Sequence, residues 1–386
     1  MVALLSLRRK VLSWIAGAVA LTALSACDIS MPVGGDLLNR TGSVKVALLV
    51  PKSSANGSAL ATSLENAAWL AVADLDAVEI DLKVYDTAGT SQGATLAAQQ
   101  AISDGARMIV GPLFAESASA AGAVAANRGV NVLAFSNNPA IAGGNVFILG
   151  NTFQNSADRL VRFASRQGKS AIYLVHADDP AERLGAAAVE QAIQANGGRL
   201  AGTSSFPLSQ QGVINKVPEI ARNYRASGAS SLFVTSGTSG ALPFLAELLP
   251  ENGIDSSVAQ FIGLQRLDIP SSALSLKGLQ GALFALPSPG LNQQFNNRYQ
   301  ATYGTLPNPI AGLAYDGIAA IGALAAAGAP LNASGITQGQ GFAGVGGPFR
   351  FFRNGTNERG LAVAQIQNNQ VIVIDPAPRS FGGPGF

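Results

Sequence analysis

The sequence is poor in the residue types on which most enzymes and metalloproteins depend. Among its 386 residues there is one cysteine, Cys27, and one histidine, His176. A single cysteine excludes an intramolecular disulfide and any metal site built from several cysteines, and a single histidine excludes a histidine-rich metal centre. Charged residues make up only 12% of the chain and the formal net charge is +2, too small to indicate nucleic-acid binding. These shortages disfavour most enzyme classes.

Hydrophobic residues, in contrast, make up 48% of the chain. A share of that size excludes a disordered or charge-driven chain. The length suggests two domains of ordinary size, and each would have enough apolar material for its own core.

The amino-terminal segment has the pattern of a secretory signal. Three basic residues, Arg8 to Lys10, precede sixteen residues without a charge, a run shorter than the roughly 20 residues that span a bilayer. It ends in Leu-Ser-Ala-Cys, which resembles a bacterial lipobox, so we expect cleavage and lipidation at Cys27. The alternative is an ordinary signal with an accidental cysteine. The signal would cover 1–26 and a tether 27–43, leaving the chain lipid-anchored in the bacterial cell envelope and facing the periplasm, with the choice of membrane open.

From Val44 onward, short apolar runs alternate with helical patterns. The run 46–50 is apolar throughout, as expected for a strand in a sheet covered on both faces. Further strands are expected at 82–85, 108–110, 130–135, 171–175, 232–235, 258–263 and 281–286. Strand–helix–strand units with long connections predict the α/β class, with doubly wound parallel sheets in two similar lobes. The stretch 361–374 predicts an antiparallel hairpin that turns at Asn368-Asn369.

Four local motifs carry a family resemblance: Val-Ala-Leu-Leu-Val-Pro (46–51), Ile-Val-Gly-Pro-Leu (109–113), Asn-Val-Leu-Ala-Phe-Ser-Asn-Asn (131–138) and Ala-Tyr-Asp-Gly (314–317). Their order resembles the type I periplasmic-binding-protein fold, in its branched-chain amino-acid-binding branch. The resemblance implies that both lobes are discontinuous. Lobe one would comprise 44–150 plus 288–335, lobe two 151–287 plus 336–376, and 377–386 would form a tail.

The end of the chain resembles the penicillin-binding-protein activator lipoproteins, which share this fold. The matching stretches are 347–351, 358–363 and 374–378. This resemblance implies regulation of peptidoglycan synthesis through a penicillin-binding protein. The alternative is the substrate-binding lipoprotein of an ABC transporter for amino acids or a similar small polar solute, with a permease as partner.

No catalytic constellation is recognisable, and we expect neither a cofactor nor a metal. Gly339–Gly344 fits a dinucleotide fingerprint literally, but it leads into a strand where that motif requires a helix, so chance explains it better. A triad would have to use His176, which follows a predicted strand. A loop histidine that bonds Asp178 is the simpler interpretation.

A ligand in an open α/β sheet binds beyond the carboxyl ends of the strands. The loops at those ends hold short hydroxyls, amides and a few charges, which suit a small polar molecule. Several of them could equally be helix caps. The candidate ligand residues are Ser53, Ser54, Phe114, Ser117, Ser136, Asn137, Asn138, Asp178, Ser236, Thr238, Gln265, Tyr315 and Asp316.

Two stretches depart from the amino-acid-binding pattern of the family. Such members place a serine shortly after the Gly-Pro-Leu turn and an Ala-Thr pair after the fourth strand. Here those stretches read Phe114-Ala115-Glu116 and Asn137-Asn138-Pro139. We therefore expect that the protein does not bind leucine, isoleucine or valine tightly.

A partner surface is suggested by the aromatic and basic residues near 350. Interfaces favour aromatics and arginine, which points to Phe352, Arg350 and Arg353. We expect Phe349 and Phe351 to lie in the core of lobe two, and charge reversal of the two arginines to leave folding intact.

Overall fold

The computed structural model describes residues 43–382. The predicted signal, Cys27 and nearly all of the tether therefore lie outside the described residues. Within residues 43–382, no helix is long and apolar enough to cross a membrane.

Lobe one is built on a five-stranded sheet in the order β2-β1-β3-β4-β5, and all of its strand pairs are parallel. Its strands are β1 (Val44–Val50), β2 (Ile80–Asp86), β3 (Met108–Val110), β4 (Asn131–Ala134) and β5 (Val146–Ile148). The connecting helices are α1 (Ser58–Ala73), α2 (Ser91–Ser103) and α3 (Ala115–Ala126). A short 3-10 turn, Pro139–Ile141, follows β4.

Lobe two holds a seven-stranded sheet in the order β14-β13-β10-β9-β8-β6-β7. Its strands are β6 (Ala171–Ala177), β7 (Arg199–Phe206), β8 (Ser231–Val234), β9 (Gln260–Gly263), β10 (Leu283–Leu286), β13 (Ala362–Gln367) and β14 (Gln370–Asp375). Its helices are α4 (Phe153–Arg166), α5 (Pro180–Ala195), α6 (Gln210–Ser227) and α7 (Leu242–Glu251), with 3-10 turns at Ser271–Ser275 and Lys277–Leu279.

The chain returns to lobe one through α8 (Pro289–Tyr303), α9 (Gly312–Ala326) and α10 (Ala333–Ile336), then forms the antiparallel pair β11 (Phe349–Phe351) and β12 (Asn357–Arg359). The predicted hairpin is confirmed, since β13 and β14 pair antiparallel around Asn368 and Asn369, which both have positive φ. The predicted class of doubly wound parallel sheets is also confirmed.

Strand β1 shows why the apolar run forms the centre of lobe one. Residues 46–50 are all buried. Leu48 packs with residues of α1 and α9 on one face, and Leu49 packs with residues of α2 and α3 on the other. Because both faces are covered, the strand needs no polar alternation.

Two of the three passages between the lobes leave from the carboxyl ends of strands, and the third enters beside one of those ends. Strand β5 ends at Ile148 and α4 begins at Phe153, while β10 ends at Leu286 and α8 begins at Pro289. The third passage returns into β13, whose first residue Ala362 pairs with Leu286. The carboxyl edges of both sheets therefore adjoin the same set of crossings.

Two phenylalanines lie in a different core from the one expected. Phe349 and Phe351 are buried with lobe-one residues, and the rings of Phe351 and Phe147 are 5.8 Å apart between centroids. The expectation that they fill lobe two was wrong, because β11 pairs with β12 and not with the lobe-two sheet.

Candidate functional site

Three loops converge at the carboxyl edge of lobe one. A Cβ atom added to Gly89 would lie 2.9 Å from Ser54 Oγ and 3.3 Å from Phe114 Cε2, so these residues are close neighbours. Gly89 has φ +72°, a conformation that glycine adopts without strain. Ser54 is half-buried, and Phe114 keeps 40% of its surface exposed. A hydroxyl and an aromatic ring thus stand side by side at this edge.

Ser53 ties the loop after β1 to the end of β2. Its backbone N–H donates to Asp86 Oδ1 over 3.2 Å. Burial raises the pKa of Asp86, but hydrogen bonds from the Ser53 side chain and from nearby backbone groups outweigh it and lower the pKa. Ser53 itself is exposed.

The end of β3 requires a glycine. Gly111 has φ +87°, and a Cβ there would come within 2.3 Å of the Leu49 carbonyl oxygen. Helix α3 follows with Phe114 at its N-cap position and no side-chain cap. Ser117 in its first turn is only 1% exposed, so it faces the interior.

The residues after β4 mainly stabilise their own turn. Ser136 Oγ accepts from the Asn138 N–H over 3.1 Å, and Asn138 Oδ1 accepts from the Ala140 N–H over 3.0 Å. Asn137 between them is exposed. Of the three, Asn137 is best placed to meet a ligand.

The carboxyl edge of lobe two is organised around Glu182, which the sequence analysis did not single out. Its carboxylate is 9% exposed and lies in the first turn of α5. It accepts the Ala177 N–H at 2.5 Å, the Thr235 hydroxyl at 2.9 Å and the Ser236 hydroxyl at 2.7 and 2.8 Å. One buried carboxylate therefore joins the ends of β6 and β8.

A sequence signal for Glu182 exists. Asp179 caps α5 through the N–H groups of Ala181 and Glu182, and an acidic cap followed three residues later by glutamate is the pattern of a capping box. In this structure the glutamate reaches the strand end and the neighbouring loop. The pattern predicts the helix start but not that contact.

The other lobe-two candidates are also held by internal contacts. Gln265 Nε2 donates to the Thr235 carbonyl over 3.0 Å, and Thr238 Oγ1 donates to the Ile269 carbonyl over 2.5 Å. Asp178 forms an exposed ion pair with Arg183 at 2.5 Å. The Arg183 hydrogen bond and charge lower the pKa of Asp178.

His176 differs from the expectation. Its Nδ1 lies 2.9 Å from the Ala177 carbonyl oxygen, so its hydrogen-bonding partner is the backbone and not Asp178.

Tyr315 is not brought to the carboxyl edge. Its hydroxyl donates to Asp74 Oδ2 over 2.6 Å, at the end of α1, and its ring packs edge-on against Phe295. Burial, together with the hydrogen bond and charge of Asp74, raises the pKa of Tyr315 to about 12. Helix α9 lies along α1, which explains why this side chain points towards the far end of that helix.

Asp316 belongs to the crossings and is closed to ligand. It is 1% exposed and pairs with Arg359 at 3.0 Å, while its second oxygen accepts the Val345 N–H at 2.8 Å. Burial raises the pKa of Asp316, and the charge of Arg359 opposes that rise. Arg359 also donates to the Leu149 carbonyl over 2.8 Å, so the pair fastens two crossings to α9.

Asn357 completes the joint between the lobes. Its Nδ2 donates to the carbonyls of Ile148 and Gly150 over 2.8 and 3.0 Å, and its Oδ1 accepts from Asn155 of α4 over 2.7 Å. One side-chain amide therefore links lobe-one backbone to a lobe-two helix.

The proposed partner surface near 350 is largely engaged within the chain. Arg350 pairs with Glu358 at 2.6 Å and stacks over the rings of Phe352 and Phe381. Charge reversal at Arg350 would break these contacts, and the expectation that folding stays intact remains a prediction for both arginines. Across residues 43–382, no cluster of three or more His, Cys, Asp or Glu side chains could hold a metal ion.

The geometry places two polar strand-end edges beside three chain crossings, which is the arrangement of a two-lobed binding protein. A family model described as periplasmic binding protein matches residues 43–370. The chain belongs to that family. No curated protein matches this periplasmic binding protein.

Solved structures share the fold of this periplasmic binding protein. A putative branched-chain amino acid ABC transporter from Rhodospirillum rubrum is 17% identical, with a TM-score of 0.74 over 86% of this chain and 100% of that one. An ABC transporter substrate-binding protein from Desulfitobacterium hafniense in complex with Leu is 17% identical, with a TM-score of 0.62 over 86% and 100%.

A third structure is the solute binding protein of an ABC transporter from Rhodopseudomonas palustris BisB5 in complex with 3,4-dihydroxy benzoic acid. It is 18% identical, with a TM-score of 0.56 over 89% of this chain and 99% of that one. The resemblance to penicillin-binding-protein activators finds no support among these matches.

Proposed function

We propose that this periplasmic binding protein is the solute-binding component of an ABC transporter, faces the periplasm and delivers a small polar solute to a permease. The observation that carries the proposal is the meeting of both carboxyl edges at the three crossings. Those edges offer hydroxyls, amides and one exposed ring. Among the described residues they hold no recognisable set of catalytic side chains. The family and the named functions of the structural neighbours also favour this alternative over a regulator of cell-wall synthesis.

The ion pairs near the two edges limit the chemical class of solute that can bind. Lys52 with Glu65, Arg183 with Asp178, and Arg266 with Asp268 are paired within their own lobes. A ligand would meet Ser54, Asn137 and the Phe114 ring in lobe one, with Glu116 as an exposed carboxylate beside them. Hydrogen bonding and ring contact would therefore dominate recognition. We expect that leucine, isoleucine and valine do not bind with submicromolar affinity.

A thermal-shift screen of the full chain tests the proposal. Amino acids, including leucine, and hydroxylated aromatic acids form the panel, and a solute at 100 times its dissociation constant should stabilise the protein by about 2.7 kcal/mol. Asn137→Ala should weaken binding of any solute found. Asn127→Ala is the matched control, because Asn127 is an exposed asparagine at the opposite end of α3. Equal binding by both variants would remove Asn137 from the site.

A further inference from the structure

A cavity of about 390 Å³ lies in lobe two, at the amino edge of its sheet. Lys169 precedes β6, Gln260 begins β9 and Leu283 begins β10. The remaining walls come from the last turns of α4 and from the terminal hairpin: Phe163, Ala164, Gln167, Gln365 and Ile374. The length of the parallel strands separates this cavity from the carboxyl edge that carries the proposed solute site.

The cavity lies where α4 covers the inner hairpin strand β13 but does not pack along the outer strand β14. Helix α4 packs on β10 and β13, whereas β14 lies at the edge of the sheet. Ile374 lines the cavity and is 37% exposed. With Phe163 and Leu283 it forms an apolar wall, and the volume lies within the roughly 300–1,000 Å³ range of small-molecule sites.

One cation at this cavity lacks a counter-charge. Lys169 is exposed and has no ion pair among residues 43–382. The nearby Asp375 is taken by Arg159 at 2.9 Å and Arg166 at 2.7 Å. The amides of Gln260 and Gln365 both donate to the Gly281 carbonyl, so these two side chains are fixed. The cavity thus combines an apolar side with three glutamine side chains and a single unneutralised ammonium.

We propose that this cavity binds an apolar monocarboxylate, with its hydrocarbon body against Phe163, Leu283 and Ile374 and its carboxylate paired with Lys169. Such a ligand matches the apolar side of the cavity and the charge of Lys169. Both aliphatic and aromatic acids combine an apolar body with one carboxylate, and the titrations below distinguish them. This site is separate from the solute site and does not depend on it.

Calorimetric titration of the full chain with decanoate and with 2-naphthoate tests the assignment. We expect saturable binding of at least one of them. The acid that binds more tightly shows whether the natural ligand is an aliphatic or an aromatic carboxylate. If decanoate binds, octanoate should bind roughly tenfold more weakly because it buries two fewer methylenes. Failure of both acids to saturate the protein would overturn the proposal.

Two matched pairs of variants locate the binding. Lys169→Met should weaken carboxylate binding about two- to fivefold, whereas Lys277→Met, at an exposed lysine elsewhere in lobe two, should not. Ile374→Asn should weaken binding, whereas Val373→Asn should not, because Val373 has similar exposure at 39% but points to the opposite face of the strand. Equal effects within either pair would place the ligand elsewhere and overturn the proposal.

Discussion

The carboxyl edges of the two lobes are built on the same kind of parallel strand, yet they hold their polar side chains differently. In lobe two, Glu182 gathers a backbone N–H and two hydroxyls around one buried carboxylate. In lobe one, Ser136 and Asn138 stabilise only their own turn, and Asn137 and Phe114 remain exposed. We infer that lobe two's edge is a fixed wall and that lobe one's edge supplies more of the groups that select a ligand.

The largest effect is expected when the ion pair between Asp316 and Arg359, beside both edges, is broken. Arg359→Met leaves Asp316 buried without its counter-charge, and breaking a buried pair in this way costs about 3–5 kcal/mol of unfolding free energy. Urea denaturation followed by circular dichroism measures it. Arg353→Met, at an exposed arginine of the same segment, should change stability by less than about 0.5 kcal/mol. A similar small loss in both would mean that the pair does not fasten the crossings.

The comparison of the two edges is tested directly by two glutamates in equivalent positions. Glu182 and Glu116 both lie in the first turn of a helix that follows a parallel strand. Glu182→Ala leaves three donors without their acceptor and should lower the free energy of unfolding by about 2–4 kcal/mol. Glu116→Ala loses only a favourable helix-dipole interaction of about 0.3–1 kcal/mol. Equal losses in urea denaturation would contradict the distinction.

A ligand-binding measurement sharpens the same comparison. Once a solute is found, Phe114→Ala should weaken its affinity about tenfold through loss of ring contact, with the free energy of unfolding nearly unchanged. Leu96→Ala is the control, since Leu96 is 60% exposed on α2. Calorimetry should show no change for this variant. A stability loss without an affinity loss for Phe114→Ala would make the ring structural.

The smallest expected effect is on the pH dependence of stability, and it arises at Asp104, which lies away from both carboxyl edges. Hydrogen bonds from Lys83, Tyr85 and Gln100 lower the pKa of Asp104 to about 2, below an unfolded value of about 3.9. The stability that this carboxylate contributes is therefore present above about pH 4 and lost as the pH falls through 2.

Asp104→Asn should flatten the pH dependence of unfolding between about pH 4 and 2 in urea titrations. Asp255→Asn should flatten it less. Hydrogen bonds from Ser257 and from the Val258 backbone also lower the pKa of Asp255, but no charged group contributes there. An unchanged slope for Asp104→Asn would refute the assignment.

Strands with strong apolar patterns could be predicted from the sequence, and strands without them could not. β1 and β8 are buried throughout or nearly so, and their composition shows it. β7 reads Arg-Leu-Ala-Gly-Thr-Ser-Ser-Phe and is mostly exposed at the sheet edge, so it has neither an apolar run nor alternation.

The strand-end rule located loops that the structure brings to the carboxyl edges, but it did not predict the contacts of each side chain. It pointed to Ser236, yet the buried carboxylate that this hydroxyl contacts comes from a helix turn 54 positions away. It also included Tyr315 and Asp316 together, although neighbours on a helix point in different directions. Long-range packing between α9, α1 and the crossings decided their placement, and a local pattern carries no information about that.

The interlaced path of the chain sets the order in which the protein can be completed during synthesis. The face of β1 that carries Leu48 packs against Ile318 and Ile321 of α9, which are made some 270 positions later. β10 acquires its second neighbour only when β13 emerges near the end. A nascent chain that has not passed Ala326 therefore exposes apolar surface on lobe one, and lobe two stays incomplete until β13 and β14 have been made.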